Sequence, residues 1–340
     1  MLRLNKILIM VLISFFVLLH GYSFQFGNGN DESTMIFIQV EDNVKDVYLG
    51  YWNSYIIKND DSLWGTGLEI YKDFGIDGPR IEKTFVKLQD DVIFYNGRFL
   101  IKNDGTTYLT YQGIKIFDYK IKKASFGALF IGEDNNLYAK GENSHGAFGT
   151  GIKYEMLEKP QIIMNDVIDV FYTGYSTQVI NSKHELFVTG LTYLPAPYKT
   201  ETSSFYKIAD NVRYSTQSFY ITDKNELFVF GWCGMGVSGL GDLGNKSRIK
   251  PTKVMDDVSY VESNQQVTII IKTNGDLYGW GGDTPNYIGE LGFGNKDPVF
   301  IPKLIMHDVK KVSLGYCQVA VIKEDGTLWM CGANKFEGGL

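Results

Sequence analysis

The chain has 340 residues, 44% hydrophobic and 14% aromatic, a globular composition with room for one large domain or two small ones. Lys and Arg total 33 against 39 Asp and Glu, for a net charge of −6. No basic stripe interrupts this balance, so the electrostatic footprint of nucleic-acid binding is missing.

The elements begin with an export signal. Arg3 and Lys6 make a basic start, Ile7 to Leu19 is an apolar run broken only by Ser14, and Gly21 and Ser23 offer small residues for cleavage. The run is short for a bilayer-spanning helix. That favours a signal peptide over residues 1–23 rather than an uncleaved N-terminal anchor, and a secreted or cell-envelope location. Residues 24–340 then form the mature domain.

From residue 63 one phrase recurs, Leu–aromatic–x–x–Gly. It stands at Leu63-Trp64…Gly67, Leu137-Tyr138…Gly141, Leu186-Phe187…Gly190, Leu227-Phe228…Gly231, Leu277-Tyr278…Gly281 and Leu328-Trp329…Gly332. A degraded seventh copy is Thr107-Tyr108-Leu109. A spacing of roughly 40–50 residues with strand-like content is the period of a β-propeller. Turn signals precede the copies, as in Asn103-Asp104-Gly105, Asp134-Asn135-Asn136, Asn274-Gly275 and Asp325-Gly326, and predict hairpins. Upstream of these come Asp-Val pairs, Asp46-Val47, Asp91-Val92, Asp166-Val167, Asp257-Val258 and Asp308-Val309. No stretch outside the signal has helical periodicity. The last repeat stops at Phe336–Leu340, where its loop and outer strand should follow, and the stretch from Gly27 to Ile38 supplies that continuation. The two ends are therefore expected to close one blade.

The succession Asp-Val-x-x-Val-x-x-Gly, strand, Asp-Gly-x-Leu-Tyr-x-Trp-Gly, then Gly-x-Leu-Gly-x-Gly-Asn…Pro resembles the regulator of chromosome condensation repeat. Its best match here runs from Gly275 to Pro302. The resemblance covers residues 24–340 and implies an all-β, seven-bladed propeller. Copies two and four depart most: Thr110-Tyr111 lacks the strand-ending Gly, and Leu191–Thr200 replaces the Gly-x-Leu-Gly loop. Irregular blades are expected there.

Catalytic signals are sparse. His145, His184 and His307 stand in unrelated contexts without metal-ligand spacing, and His145 reads as a loop residue. Gly234–Gly239 spells Gly-x-Gly-x-x-Gly but continues as a propeller loop rather than a helix. Cys317 and Cys331 flank one hairpin; buried thiols are the favoured reading and a disulfide the other. Aligning the repeats on their hairpins brings out a ring of first-turn aromatics: Tyr51, Trp52, Tyr95, Phe126, Tyr175 and Tyr316. Such rings on polar turns are common anchors of protein interfaces, although packing between blades is an equal alternative. The aromatics of the Leu–aromatic phrase are assigned to the core.

The chain is thus expected to be an exported, monomeric, non-catalytic scaffold that binds an unidentified protein through one propeller face. It needs no cofactor or metal, contacts no nucleic acid, and touches a membrane only if the anchor is retained. The resemblance implies a second reading, guanine-nucleotide exchange on a small GTPase, which the export signal disfavours. A carbohydrate-binding or enzymatic propeller is the third, and no paired carboxylates converge on the turns to support it.

Overall fold

A computed structural model describes residues 26–50, 52–110, 115–125, 128–191, 201–242, 247–264, 266–282 and 288–334. The signal segment, Tyr51, Phe126 and Phe336–Leu340 lie outside the described residues. Within them, 28 strands form seven four-stranded antiparallel sheets.

Strand β1 (Thr34–Glu41) comes first in the chain but belongs to the last sheet. Blade 1 is β2 (Val44–Leu49), β3 (Asn53–Lys58), β4 (Leu63–Leu68) and β5 (Ile81–Gln89). Blade 2 is β6 (Val92–Tyr95), β7 (Phe99–Lys102), β8 (Thr107–Leu109) and β9 (Lys115–Phe117). Blade 3 is β10 (Ile121–Ser125), β11 (Leu129–Gly132), β12 (Leu137–Asn143) and β13 (Glu155–Met164). Blade 4 is β14 (Val167–Tyr172), β15 (Ser176–Asn181), β16 (Leu186–Leu191) and β17 (Glu201–Ala209). Blade 5 is β18 (Val212–Thr216), β19 (Phe219–Thr222), β20 (Leu227–Trp232) and β21 (Ser247–Met255). Blade 6 is β22 (Val258–Ser263), β23 (Val267–Lys272), β24 (Leu277–Gly281) and β25 (Val299–Met306). Blade 7 is β26 (Val309–Leu314), β27 (Gln318–Lys323), β28 (Leu328–Gly332) and, outermost, β1.

The expected closure is therefore present. β1 pairs antiparallel with β28, Ile38 opposite Met330, and the Phe26 N–H donates to the Asn334 side chain at 2.7 Å. The core is a series of blade interfaces rather than one centre. Val44, Val47 and Ile56 of blade 1 pack on Ala320, Ile322, Leu328 and Met330 of blade 7. Second strands such as β23 and β27 are buried on both faces, which is why they read as uninterrupted apolar runs. Each fully buried Leu or Ile contributes about 1.5–3 kcal/mol relative to exposure.

Several expectations need correction. In the Leu–aromatic phrase the Leu is the core residue: Leu63, Leu137, Leu186, Leu227, Leu277 and Leu328 are all fully buried. The aromatics are on the other side of the strand and half-buried, and Trp64, Tyr138, Phe228, Tyr278 and Trp329 pack against the margins of core clusters, so their core assignment holds only in part. Lys58 lies 4.6 Å over the Trp64 ring, and the Trp329 indole donates to Thr327 Oγ1 at 2.9 Å. In blade 1 the residues equivalent to the Asp-Val pairs are Asn43-Val44, since Val44 opens the inner strand as Val92 does in blade 2. Among the described residues there is one α-helix, α1 (Ile70–Phe74), too short to show a period; Ile70 and Phe74 anchor it in the core. Blade 2 is irregular as expected, with three-residue β8 and β9. Blade 4 keeps a regular four-stranded sheet, and residues 192–200 of its divergent loop lie outside the described ones. All three cysteines are buried thiols.

Candidate functional site

In this architecture the turns between first and second strands share one end of the disc with the loops between third and fourth strands. We call it the loop face. The hairpins between second and third strands project from the other end.

A backbone tether fixes the first turn. The N–H following the strand-ending Gly donates to a turn carbonyl: Leu68 to Trp52 at 2.9 Å, Leu191 to Tyr175 at 2.8 Å, Gly282 to Gln266 at 2.8 Å and Ala333 to Cys317 at 2.9 Å. Tyr175 is thereby equivalent to Trp52, Gln266 and Cys317. The glycines are required by close approach: a Cβ on Gly67, Gly190, Gly281 or Gly332 would lie 2.2–2.5 Å from those carbonyl oxygens.

The predicted ring residues divide. Tyr175 is 52% exposed and Tyr316 36% exposed on their turns, and Trp52 is half-buried against Cys317 and Ala333. Trp52 and Tyr316 thus stand on adjoining blades, while Tyr175 is on blade 4. Tyr95 is not on a turn. It ends β6, pairs with Leu100 as Val47 pairs with Ile56, and is 7% exposed. The first hairpin of blade 2 is shorter than that of blade 1, and counting back from the phrase therefore lands inside the strand. The Tyr95 ring lies 4.7 Å from Tyr55 and 5.7 Å from Phe74, so it is a core residue of the blade 1–blade 2 seam.

Around Tyr175 the structure assembles a site that sequence alone missed. The loop from Asn143 to Tyr154 crosses from blade 3 toward blade 4, shaped by one buried side chain. Asn143 Oδ1 accepts the Phe148 N–H at 2.8 Å, and its Nδ2 donates to the Ile152 carbonyl at 2.9 Å and to Thr150 Oγ1 at 3.1 Å. That fold sets His145 5.5 Å from the Tyr175 ring and 5.7 Å from the Tyr154 ring, centroid to centroid, both near edge-on. His145 and Tyr154 both have left-handed backbones, with φ of 58° and 59°, uncommon for such side chains and held here by the surrounding loop.

Charged groups fix the cluster. His145 Nδ1 lies 3.1 Å from Glu201 Oε1, and Lys153 Nζ lies 3.1 Å from Oε2. Lys153, then His145, hold the Glu201 carboxyl below its ordinary range. Beneath, Tyr172 donates to the Gly174 carbonyl at 3.1 Å, and burial followed by Glu142 pushes its hydroxyl up to about 12. Tyr154 is 67% exposed, and Ile152 and Met156 beside it are also open to solvent. The sequence singled out Tyr175 as a turn aromatic and His145 as a loop residue, but gave no hint that His145 would meet Tyr175 and Glu201, 30 and 56 positions away.

Nothing comparable gathers reactive groups. Among the described residues no three His, Cys, Asp or Glu side chains are placed to hold a metal ion. His184 pairs with Asp223 at 2.6 Å and His307 with Asp276 at 2.5 Å, each on the hairpin face. No described helix is long and apolar enough to cross a membrane.

No protein-family sequence model matches the chain. It is 32% identical over 127 residues to the human X-linked retinitis pigmentosa GTPase regulator, covering 34% of this chain and 12% of that protein. It is 29% identical over 124 residues to the Ultraviolet-B receptor UVR8 of Arabidopsis thaliana, and 27% identical over 124 residues to the human RCC1-like G exchanging factor-like protein. These matches cover 34% of this chain, and 27% and 26% of the two relatives. The chain thus spans well under a third of the length of each relative. Among solved structures, Prp20p from Saccharomyces cerevisiae superposes with a TM-score of 0.67 at 14% identity, covering 86% of this chain and 83% of that one. Human WBSCR16 does so with a TM-score of 0.64 at 15% identity, covering 87% and 88%. The recurring Leu–aromatic phrase, the tethered turns and the superposition on Prp20p and WBSCR16 converge: the chain is a seven-bladed β-propeller, and it is similar in sequence to RCC1-like proteins over about a third of its length.

Proposed function

We propose that this propeller is an exported, non-catalytic scaffold that binds a protein partner through its loop face, with Tyr175, Tyr154 and His145 as the anchor. Trp52 and Tyr316 supply a second contact on blades 1 and 7; Tyr51, next to Trp52 in sequence, and Phe126 lie outside the described residues. The observation that carries this reading is the exposed ring cluster, with two of its residues in left-handed backbone. Rigid aromatics on polar loops lose little entropy on binding and dominate interface energetics. Export rests on the basic and apolar N-terminal segment. A mature N-terminus at Phe24 by Edman sequencing of secreted protein supports it, and an intact Met1 on cytosolic protein counts against it.

The test compares capture by residues 24–340 with capture by the same protein carrying Tyr154→Ala and Tyr175→Ala. A partner bound by the first should be lost by the second, by at least tenfold in affinity, while thermal unfolding stays unchanged. Equal capture by both would remove the cluster as the anchor. The similar proteins favour one alternative, since one is a G exchanging factor-like protein and Prp20p binds Gsp1p and histones. Release of labelled guanine nucleotide from a small GTPase, accelerated by the propeller, would decide for that alternative.

A further inference from the structure

Five of the seven junctions between neighbouring inner strands are packed directly. β10 packs on β14, β14 on β18, β18 on β22, β22 on β26, and β26 on β2. One register position on these strands, opposite an Ile of the second strand, faces the axis in every blade. In blades 5 and 6 it is Tyr214, opposite Ile221, and Tyr260, opposite Ile271. These side chains are partly exposed at the central channel that the inner strands surround.

The charges of the channel are compensated with one exception. Lys123 pairs with Asp169 at 2.5 Å and Lys311 with Asp46 at 2.8 Å, each linking neighbouring inner strands. Glu262 lies two residues beyond Tyr260 on the same face of β22. Among the described residues no Lys, Arg or His stands within ion-pairing distance of it. Its Oε2 accepts the Tyr260 hydroxyl at 3.3 Å, and the Leu314 N–H provides a further hydrogen bond. Burial pushes the carboxyl up to about 7. The Tyr214 and Tyr260 rings lie 5.2 Å apart with a 42° tilt, and the Lys123 ammonium already stands 6.0 Å from the Tyr214 ring. Burial, then Asp73 and Glu262, also push the Tyr48 hydroxyl up, so the charge of Glu262 is felt across the channel.

We propose that the central channel binds a small organic ammonium ion, with its charge on the Glu262 carboxylate and its alkyl groups against the faces of Tyr214 and Tyr260. A lone carboxylate beside ring faces suits this class. Aromatic faces attract alkylammonium groups and offer no oxygen donors to a hard metal ion. The site is independent of the loop-face anchor, which involves none of these residues.

Titration calorimetry on residues 24–340, with n-butylammonium and tetramethylammonium chloride as probes and sodium chloride as control, tests it at pH 6 and pH 8. A carboxyl that titrates near 7 is about one-tenth ionised at pH 6 and nine-tenths at pH 8, so affinity should rise about tenfold between them. The other charged groups on these inner strands are paired with one another, Lys123 with Asp169 and Lys311 with Asp46, and Glu262→Gln isolates the contribution of Glu262 from theirs. Glu262→Gln keeps the hydrogen-bonding shape and should lose both the binding and its pH dependence; Tyr214→Ala should weaken binding at pH 8 several-fold. Tyr175→Ala should leave it unchanged. Absence of saturable binding to wild type at pH 8, equal affinity at the two pH values, or undiminished binding by Glu262→Gln in folded protein would each overturn the proposal.

Discussion

Residues with left-handed backbone stitch the hairpin face together, two in every blade but blade 3, which has only the one in its hairpin. One is in the hairpin: Asp61, Gly105, Asn135, His184, Asn225, Gly275 and Gly326 all have positive φ. The other, ahead of the inner strand, is Asn43, Asp91, Asp166, Asn211, Asp257 or Asp308, with φ between 55° and 62°. Asp and Asn tolerate this conformation better than other side chains, which explains their recurrence beside Val. The conformation turns the carbonyls toward the next blade. The Val92 N–H donates to the Asp61 carbonyl at 2.8 Å, Val212 to His184 at 2.9 Å, and Val44 to Gly326 at 2.9 Å across the ring closure. Another residue carries a liability. Glu290 is 2% exposed, its Oε2 accepts the Ile288 N–H, and its Oε1 finds no partner among the described residues. Burial pushes it up to about 7 against an ordinary 4.5. The folded state therefore holds a proton that the unfolded state has released between those values, and stability falls as pH rises through this window. Glu290→Gln should gain on the order of 1–3 kcal/mol relative to wild type at pH 8, and much less at pH 4.5, in denaturant melts at both pH values. A gain that did not depend on pH would show that the carboxyl charge is not the cause.

At the scale of the element, the repeat phrase was legible because each of its letters has a separate physical duty. Leu fills the blade interface, and Gly admits the turn carbonyl beneath it. That predicts an ordering. Gly281→Ala puts a methyl 2.4 Å from the Gln266 carbonyl in addition to a φ of 114°, whereas at Gly141, φ 108°, nothing lies within 4 Å of the added atom. Both should destabilise, by about 1–3 kcal/mol for backbone strain, with Gly281→Ala clearly the worse in thermal melts. Equal losses would mean that the turn yields freely. The limits of sequence reading are equally physical. Tyr95 was misplaced because a shorter hairpin shifts register without changing the letters around it, and one face of a strand becomes the other. The Leu–aromatic rings were assigned to the core because repetition marks a position without telling which face of the strand it occupies. The anchor cluster joins His145 to Tyr175 and Glu201 through a loop whose course depends on the buried Asn143. No local pattern encodes that path.

For the whole molecule, the seam matters most. Blade 7 takes its outer strand from the start of the chain, and removing it would leave β28 as a bare edge and uncover the interface built by Phe26 and Ile38. A variant beginning at residue 42 should lose its cooperative melt or associate into larger species in size-exclusion chromatography. A monomer with the stability of residues 24–340 would show that the seam is dispensable. The same seam imposes a delay on the growing polypeptide. Strand β1 is made before any blade, yet its mate β28 is made after every other blade. At about 5–20 residues per second, nearly three hundred residues of elongation leave β1 waiting on the order of 15–60 s. Met35 and Ile36 are apolar and exposed even in the finished ring. During that interval they form an unclaimed, adhesive strand, and whatever holds the nascent chain must shield it until the last hairpin is made.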